Sequence, residues 1–508
     1  MKKLLPPTKY VLPCLICPIL SYVFLSYVLP ADKFPRVSRV VNIFTSHVPT
    51  SSQASARYWE EWNQWRVDYH RYEEICPDFN WLSKEALPWF QLANHTDPTR
   101  GIVHNLVIKP VYQFSIITLQ TQNKKADLKQ SGGDHWRVQI KGPYSASSLV
   151  RKIDHRNGSY EFRFVPVVSG TYQALIWLEY TLCAGLKEPP PDWFIKGTVQ
   201  GKEQKQGSLH RDSPFINKPL WSGAKFQFYV PPPAKKLALQ EHSTSHCKSQ
   251  GCQFLWNGFG NWLNKTHWVP RCPHSTELRY PKEHPRRGLL WIFGDSVSSQ
   301  FYHQIKFHPL CQHHFARCMY SYNWLYSLEN YNASLGRYTR RNTTIEKTTW
   351  DDLDYNVNRT VAELRQVLLH PGMQSRESVL LLNYGLHFTE SLNYTNYKTA
   401  IESVIDVLKR EAYCHVVWRT TTSLNRHKYS QPNLHSRRFM TSPRVELYNA
   451  YAASRFCEEY FDVLDVYPLT DSYPEGTGSS KTPHDPVHYE YHVMRPMEKL
   501  LERVFKVK

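Results

Sequence analysis

The stretch Leu289-Leu290-Trp291-Ile292-Phe293-Gly294-Asp295-Ser296-Val297-Ser298-Ser299-Gln300 decides the fold of the C-terminal half of this chain. A short apolar run that ends in glycine predicts a buried strand, and Val297, Phe301 and Ile305, four residues apart, predict a helix after it. Ser296 would then lie at the carboxyl end of a strand, where open α/β sheets bind ligands, and at a helix N-terminus, which favours negative charge. Both positions suit a serine nucleophile whose reaction builds an oxyanion. The alternative is an ordinary strand–turn–helix in which the serine is only the N-cap.

Near the C-terminus, the stretch Pro483-His484-Asp485-Pro486-Val487-His488 offers the partners that a serine nucleophile needs. A helical pattern over 489–507 follows, so we predict that Asp485 and His488 share one face of its first turn. In a triad the histidine takes the serine proton and later returns it, while the carboxylate fixes the ring. Alone, Asp-x-x-His is usually a helix cap and a surface histidine. Its place at the last helix, after Gly-Asp-Ser on the first strand, favours a triad of Ser296, Asp485 and His488.

Residues 251–508 alternate between strand and helix patterns, which predicts an α/β domain of three layers around a parallel sheet. We expect strands at 289–293, 379–382, 416–418 and 462–466, and helices near 297–306, 357–369, 396–411, 442–460 and 488–505. In such a sheet, the loops that leave the carboxyl ends of the strands form the site.

Two further loops of this predicted sheet carry candidate site residues. Asn383 ends an apolar strand, and its amide could donate to an oxyanion beside the Ser296 N–H, while Gly385 could offer a backbone N–H at close approach. Arg419 ends the next strand and could orient a substrate carboxylate or hold the catalytic loop. The alternatives are a turn-forming Asn-x-Gly and an arginine in a surface salt bridge.

The N-terminal residues 1–30 predict a membrane anchor. Lys2, Lys3 and Lys9 precede twenty uncharged residues over 10–29, a length that spans a bilayer, and these lysines keep the N-terminus cytoplasmic. We therefore expect a single-pass type II membrane protein whose remaining residues lie in the lumen of the secretory pathway. Cleavage of this segment would instead give a secreted protein.

The sequons and the cysteine content agree with a luminal address. Seven Asn-x-Ser/Thr sequons start at Asn94, Asn157, Asn264, Asn332, Asn342, Asn358 and Asn393. Nine of the 11 cysteines lie beyond the anchor, so most should pair, and one is free or pairs between chains. The pairs 247/252 and 311/318 are close enough for local disulfides. Because no CxxC pairs come with a matching set of ligands, we expect no zinc site, and we expect no bound cofactor.

The charge of +18, from 62 basic and 44 acidic residues, accompanies 14% aromatic residues. Such a basic surface attracts nucleic acid, anionic lipid or acidic glycan. A luminal address excludes nucleic acid as a partner. Acidic glycans fit best, because aromatic rings stack on sugars while arginine and lysine hold carboxylates. The alternative is a solvated basic surface without a specific ligand.

Three more parts are predicted before the α/β domain: a stem at 31–89, a β-sandwich at 90–232 and a linker at 233–250. In the stem, aromatic residues at alternate spacings of four and three predict a helix whose seam docks on a following domain: Tyr58, Trp62, Trp65, Tyr69 and Tyr72. Short alternating segments near 106–109, 114–119, 136–140, 160–164 and 171–178 predict strands of an immunoglobulin-like sandwich. Asn157-Gly158 is a strong hairpin signal.

These motifs resemble the neurexophilin and PC-esterase domain (NXPE) family, whose PC-esterase part belongs to the SGNH (GDSL-like) superfamily. The motifs in the α/β half are Phe293-Gly294-Asp295-Ser296, Asn383-Tyr384-Gly385 and Asp485-Pro486-Val487-His488. Those in the sandwich are Gly132-Gly133-Asp134, Asn157-Gly158-Ser159-Tyr160 and Gly170-Thr171-Tyr172. The separate glycine block of SGNH hydrolases has no match between Ser296 and Asn383.

The resemblance implies an SGNH-type α/β domain, with a triad of Ser296, His488 and Asp485 and with Asn383 and Gly385 in the oxyanion hole. It also implies O-acetyl transfer to glycan hydroxyls, with sialic acid as the expected acceptor sugar. An acetyl donor such as acetyl-CoA would then be a co-substrate, and an acidic glycan or sialoglycoprotein the acceptor. Two alternatives stay open: a glycan O-acetyl esterase, and a non-catalytic protein whose sandwich binds a cell-surface protein.

Overall fold

The computed structural model describes residues 61–62, 64–77, 95–189, 215–233, 254–256, 260–270, 286–324, 329–332, 337–340, 355–429 and 437–501. The predicted signal anchor and nearly all of the predicted linker lie outside these residues, as do the sequons at Asn94 and Asn342. Within the described ranges, no helix combines the length and the apolar character that a membrane span requires.

The strands are, in chain order, β1 (Ile102–Val107), β2 (Ser115–Gln120), β3 (His135–Lys141), β4 (Ser147–Ser148), β5 (Val150–Asp154), β6 (Ser159–Phe164), β7 (Gly170–Tyr180), β8 (Lys218–Pro219), β9 (Phe226–Val230), β10 (Phe254–Trp256), β11 (Gly260–Trp262), β12 (Trp268–Pro270), β13 (Leu289–Gly294), β14 (Arg317–Tyr322), β15 (Glu329–Asn332), β16 (Arg337–Arg340), β17 (Val379–Leu382), β18 (His415–Arg419) and β19 (Asp462–Leu464). The α-helices are α1 (His70–Ile75), α2 (Ser296–Ile305), α3 (Val357–Leu368), α4 (Leu386–Ser391), α5 (Tyr394–Glu411), α6 (Ser442–Glu458), α7 (Tyr467–Asp471) and α8 (Arg495–Leu501).

A parallel sheet forms the centre of the C-terminal half, with the strand order β10-β19-β18-β17-β13-β14. Every residue of β13 and of β17 is buried, as expected of strands that helices cover on both faces. The predicted alternation of strands and helices is therefore confirmed. Two strands of this sheet, β10 and β14, were not predicted. The run Arg317-Cys-Met-Tyr-Ser-Tyr of β14 alternates in polarity and does not form the continuous apolar run typical of such strands.

Helices cover both faces of this sheet because successive strand residues point to opposite sides. Trp291 and Phe293 pack into a core with α3, α5 and α6. Leu290 and Ile292 pack into a second core with α2, α7 and α8. The domain is thus a three-layer α/β structure, and the carboxyl ends of its strands share one edge.

Two antiparallel sheets in the N-terminal half enclose a third apolar core. One sheet has the order β1-β2-β6-β5; the other has the order β12-β11-β4-β3-β7-β8, with β9 also paired to β7. The five strand segments predicted for this region all lie on or overlap observed strands, and β4, β5, β8 and β9 were not predicted. Because β11 pairs with β4 through Asn261 and Ser148, residues 260–270 continue this sheet although they lie within the range predicted for the α/β domain.

Residues 61–77 of the predicted stem pack between the two halves. Trp62 is buried against Leu149 and Val165 of the antiparallel part, whereas Tyr69 and Tyr72 pack on the α/β core. The aromatic seam therefore docks on both neighbours. It does not form one continuous helix, because helical backbone over 64–67 stops at 68–69 and resumes in α1.

A disulfide bond connects the stem segment to the antiparallel sheets. Cys76, just after α1, bonds to Cys183, just after β7, and Cys311 bonds to Cys318, one of the two local pairs predicted. Cys457 is also disulfide-bonded, and Cys414 is free and buried. The other predicted local pair, 247/252, lies outside the described residues.

Candidate active site

Ser296, His488 and Asp485 form a continuous hydrogen-bonded chain at the carboxyl edge of the parallel sheet. The Oγ of Ser296 lies 2.8 Å from Nε2 of His488, and Nδ1 of His488 lies 2.8 Å from Oδ2 of Asp485. With the ring proton on Nδ1, the serine hydroxyl donates to Nε2 and the imidazole donates to the carboxylate. This is the arrangement in which a histidine can accept the serine proton. Ser296 is partly exposed and the His488 side chain is 37% exposed, so a substrate can reach both.

The loop that carries Asp485 and His488 differs from the prediction. The two residues do not lie in the first turn of a helix: a 3₁₀ turn starts at Tyr491 and α8 at Arg495. Instead, Oδ1 of Asp485 accepts hydrogen bonds from the backbone N–H groups of Val487 and His488, each at 2.9 Å. These are the bonds that an aspartate makes when it caps a helix, but here they form a local turn and no helix follows directly. The turn presents Oδ2 to the imidazole, as the predicted helix would have done.

Hydrogen bonds keep Asp485 ionised. Burial alone would raise the pKa of its carboxyl, but the His488 ring and the two backbone N–H groups lower it to about 2. A carboxylate that stays charged above that pH can stabilise the imidazolium which forms when His488 accepts a proton.

Asp295, the residue before the serine, is the N-cap of α2. Its Oδ1 accepts from the N–H groups of Val297 (3.0 Å) and Ser298 (3.4 Å), and its Oδ2 accepts from the N–H of Leu386 at the start of α4. The alternative in which Ser296 is only the N-cap is therefore wrong, because Ser296 is the first helical residue and its hydroxyl contacts His488. The buried carboxylate of Asp295 thus binds backbone N–H groups at the N-termini of α2 and α4, the two helices that border Ser296.

The predicted oxyanion residues lie together after β17 but differ in their hydrogen bonds. Both N–H bonds of the Asn383 amide are used, by the carbonyl of Arg419 (2.8 Å) and by Oγ1 of Thr421 (3.2 Å). To donate to a substrate, Asn383 would have to exchange one of them. The N–H of Ser296, at the first position of α2, and the N–H of Gly385, which precedes α4, have no acceptor assigned among the described residues. Unlike the Asn383 amide, these two backbone groups could donate to an oxyanion without giving up an assigned hydrogen bond.

Arg419 lies inside the protein, away from any substrate. It is 1% exposed, and its Nη2 donates to the Oγ of Ser298 on α2 at 2.7 Å. Burial lowers the pKa of Arg419 to about 10, although the charge of Asp295 opposes this shift. Of the two predicted roles, the contacts fit the one in which Arg419 holds the catalytic loop.

A row of buried polar residues follows the carboxyl ends of five neighbouring strands: Asn323 after β14, Asp295 after β13, Asn383 after β17, Thr420 after β18 and Asp465 after β19. Asn323 donates to the carbonyl of Asn383, Asn383 to the carbonyl of Arg419, and Thr420 to Asp465. We name these five residues the polar belt. Thr420 lies in one of the loops predicted to form the site, whereas Asn323 and Asp465 were not predicted, although a polar residue directly after a buried strand was the signal that identified Asn383.

His387 adds a neutral imidazole to the surroundings of the site. Its Nε2 lies 2.9 Å from the hydroxyl of Tyr322, and its ring stacks on Trp324 at 5.6 Å. Burial lowers its pKa to about 4, and the charge of His488 acts in the same direction. His387 therefore contributes no positive charge beside His488 at neutral pH.

The described sequons lie at accessible positions. Asn157, Asn264 and Asn358 are exposed, and Asn393 is half-buried at the N-cap of α5. The backbone at Asn332 lies in β15, and nothing is described of its side chain.

No family model matches the chain, and no curated protein is similar to it. Among solved structures, the chain is similar to the Lin-41 filamin domain (15% identity, over 16% of this chain and 80% of that one, TM-score 0.15). It is also similar to protein YxiM from Bacillus subtilis (11% identity, over 83% of this chain and 97% of that one, TM-score 0.26). Domains 4 and 5 of the S-layer protein SbsC give 14% identity over 15% of this chain and 43% of that one, with a TM-score of 0.13.

Proposed function

We propose that this protein is an O-acetyltransferase that transfers acetyl groups to glycan hydroxyls through an acetyl-serine intermediate. The observation that supports it is the hydrogen-bonded chain Ser296–His488–Asp485 at the accessible edge of the parallel sheet. A half-buried ionised carboxylate, a histidine and a partly exposed serine in this order form the arrangement that activates a serine for acyl transfer.

In the first half-reaction, Ser296 Oγ forms a bond to the carbonyl carbon of the acetyl donor while its proton passes to Nε2 of His488. The N–H groups of Ser296 and Gly385 stabilise the resulting oxyanion. Collapse of this intermediate breaks the bond to the leaving group, which takes the proton from His488. In the second half-reaction, a sugar hydroxyl gives its proton to His488 and attacks the acetyl carbon, and Ser296 Oγ leaves with that proton.

The acceptor and the donor that we propose are inferred from the composition of the chain and from its resemblance to the NXPE family. We infer an acidic glycan as the acceptor, because the chain is basic and rich in aromatic residues. The resemblance to the NXPE family implies sialic acid as the sugar. The donor is an activated acetyl compound such as acetyl-CoA, used as a co-substrate. The family that we propose is the NXPE family, with an immunoglobulin-like sandwich before an SGNH-type domain, on a type II anchor in the Golgi lumen.

Mass spectrometry of the full-length protein tests this function. Incubation with acetyl-CoA and a sialylated glycoprotein should acetylate the glycan, and a short incubation without acceptor should leave an acetyl group on Ser296. Ser296→Ala should abolish both products. Ser299→Ala is the matched control, because Ser299 lies on the same helix, is buried and has no contact with the triad.

Two outcomes would contradict this assignment. Acetyl transfer that survives Ser296→Ala would exclude the serine as the nucleophile. Release of acetate from acetylated glycan without transfer to an acceptor would instead identify an esterase, which the exposure of Ser296 and His488 to water also permits.

A further inference from the structure

Arg66, from the segment that precedes the antiparallel sheets, is buried in the α/β domain. Its Nε lies 2.6 Å from Oδ2 of Asp465, and its Nη2 lies 2.9 Å from Oδ1. Both side chains are almost fully buried, at 4% and 1% exposure, and the guanidinium also lies over the ring of Tyr467 at 5.1 Å. A bidentate ion pair of this kind fixes the orientation of both side chains.

Asp465 passes this constraint to the loop after β18. Its Oδ1 also accepts a hydrogen bond from Oγ1 of Thr420 at 2.9 Å, and the same hydroxyl accepts from the N–H of Val466 at 2.9 Å. Asp465 and Thr420 are the members of the polar belt that follow β19 and β18. Arg66 therefore binds one end of the belt.

Thr420 connects this constraint to α2, the helix that starts with the nucleophile. The residue before Thr420 is Arg419, whose Nη2 donates to Ser298 on the same helix as Ser296, and whose carbonyl accepts from Asn383. From Arg66 to α2, each step is a hydrogen bond between buried groups or a single peptide bond. Displacement of Asp465 would thus be transmitted to the loop that holds the serine helix.

We propose that Arg66 is a positioning residue for the site, so that the segment before the sandwich is part of the catalytic unit. This inference depends on the proposed function. Removal of the guanidinium leaves Asp465 buried without a cation, a state that is unfavourable unless the carboxylate moves toward water or takes up a proton. Either change alters its bond to Thr420. Because small displacements of catalytic groups reduce rates strongly, we expect acylation of Ser296 to slow by about 10- to 100-fold.

Four variants of the full-length chain separate positioning from folding. Arg66→Met removes the charge, and Arg66→Lys keeps the charge but cannot form the bidentate pair with Asp465. The double variant Arg66→Met/Asp465→Leu also removes the Asp465 carboxylate, which Arg66→Met alone leaves without a cation, and with it the hydrogen bond from Thr420. Arg71→Met is the matched control: Arg71 lies in the same segment and stacks on Trp65, but its hydrogen bonds go to Trp65 and Tyr72, not to the belt.

The readouts are the rate of Ser296 acylation by 4-nitrophenyl acetate, the KM of this ester, and the thermal unfolding temperature. We expect Arg66→Met to lower kcat without a comparable change in KM, and Arg66→Lys to recover part of the loss. The double variant should regain thermal stability but not rate, because the belt stays broken. Arg71→Met should acylate at the wild-type rate.

Three results would overturn the inference. One is a wild-type rate in folded Arg66→Met protein, and another is a rate in the double variant that recovers in step with its stability. The third is a wild-type protein in which Ser296 is never acylated, because that result would remove the proposed function itself. In the first two cases the wild type is still acylated, so failure of the inference is distinguishable from failure of the function.

Discussion

Lys152 on β5 and Glu446 on α6 form a buried ion pair across the contact between the antiparallel sheets and the α/β domain, with Nζ 2.7 Å from Oε1. Glu446 also accepts hydrogen bonds from the hydroxyls of Tyr72 and Tyr467. Burial alone would raise the pKa of Glu446, but Lys152 and His135 hold it well below its usual range. The two halves of the protein therefore meet at a cluster of charged side chains, in which Lys152 and His135 keep Glu446 ionised.

Loss of Lys152 should destabilise the whole chain. In Lys152→Met, Glu446 keeps its charge but loses its closest cation, and breaking a buried pair from one side costs about 3–5 kcal/mol. We expect the free energy of unfolding, measured by urea titration with tryptophan fluorescence, to fall by that order. Lys109→Met is the control, because Lys109 is exposed and no ion pair is assigned to it. Equal stability of the two variants would contradict this account of the contact.

His135 should make this contact sensitive to pH. Its Nδ1 lies 3.4 Å from Glu179 and its Nε2 lies 3.4 Å from Glu446. Burial would lower the pKa of His135, but its close contacts with the two carboxylates outweigh this and raise it. Because the pKa is higher in the folded state, the stabilisation is complete below the unfolded value of about 6.5 and is lost as the pH rises through the folded value.

The test compares His135→Gln with the wild type over a pH series. The difference in the free energy of unfolding should be largest below about pH 6.5 and should shrink on the alkaline side. His104→Gln, at an exposed position on β1, should show no such dependence. A difference that grows with rising pH would contradict the proposed charge state of His135.

Asp485→Asn should leave the loop intact and remove most of the activity. The amide oxygen can still accept from the N–H groups of Val487 and His488, but a neutral amide cannot stabilise an imidazolium or fix the ring tautomer. We expect the acetyl-transfer rate to fall by about 10⁴-fold, with an unchanged unfolding temperature. Asp406→Asn, on the exposed face of α5, is the control and should keep the wild-type rate. A variant at Asp485 with more than a tenth of the wild-type rate would exclude it as a member of the triad.

The sequence predicted those parts of the fold that local pattern determines. The strand 379–382 and the helices that begin at 296 and 357 follow from apolar runs and from a period of 3.6 residues. It also identified Ser296, His488 and Asp485, which the structure brings together although 192 positions separate the first two. The types of these three residues and their order along the chain were sufficient to predict them.

Other contacts depend on tertiary structure that no local pattern specifies. Arg66 reads as one more charge on a stem, yet it lies 399 positions from Asp465 in sequence and bonds to it. The predicted helix does not form at His488, because the His488 carbonyl, which a helix would pair with its own N–H groups, accepts from the N–H of Gly478. Asn383 was predicted to face the substrate, but its amide is held by the carbonyl of Arg419, a partner that only the pairing of β17 with β18 brings near.

Gly385 should tolerate no side chain. A Cβ at this position would lie 2.3 Å from Oδ1 of Asn383 and 2.5 Å from Oδ2 of Asp295, so it would push on two members of the polar belt at once. We expect Gly385→Ala to lower the acylation rate of Ser296 by about 100-fold, because both the N–H predicted to stabilise the oxyanion and the cap of α2 move. Gly372→Ala is the control: its Cβ would crowd Leu289, at the opposite end of β13. Gly372→Ala should lose about 1–3 kcal/mol of stability and keep the wild-type acylation rate. Equal losses of rate in Gly385→Ala and Gly372→Ala would contradict this prediction, because general crowding of the domain would then control acylation.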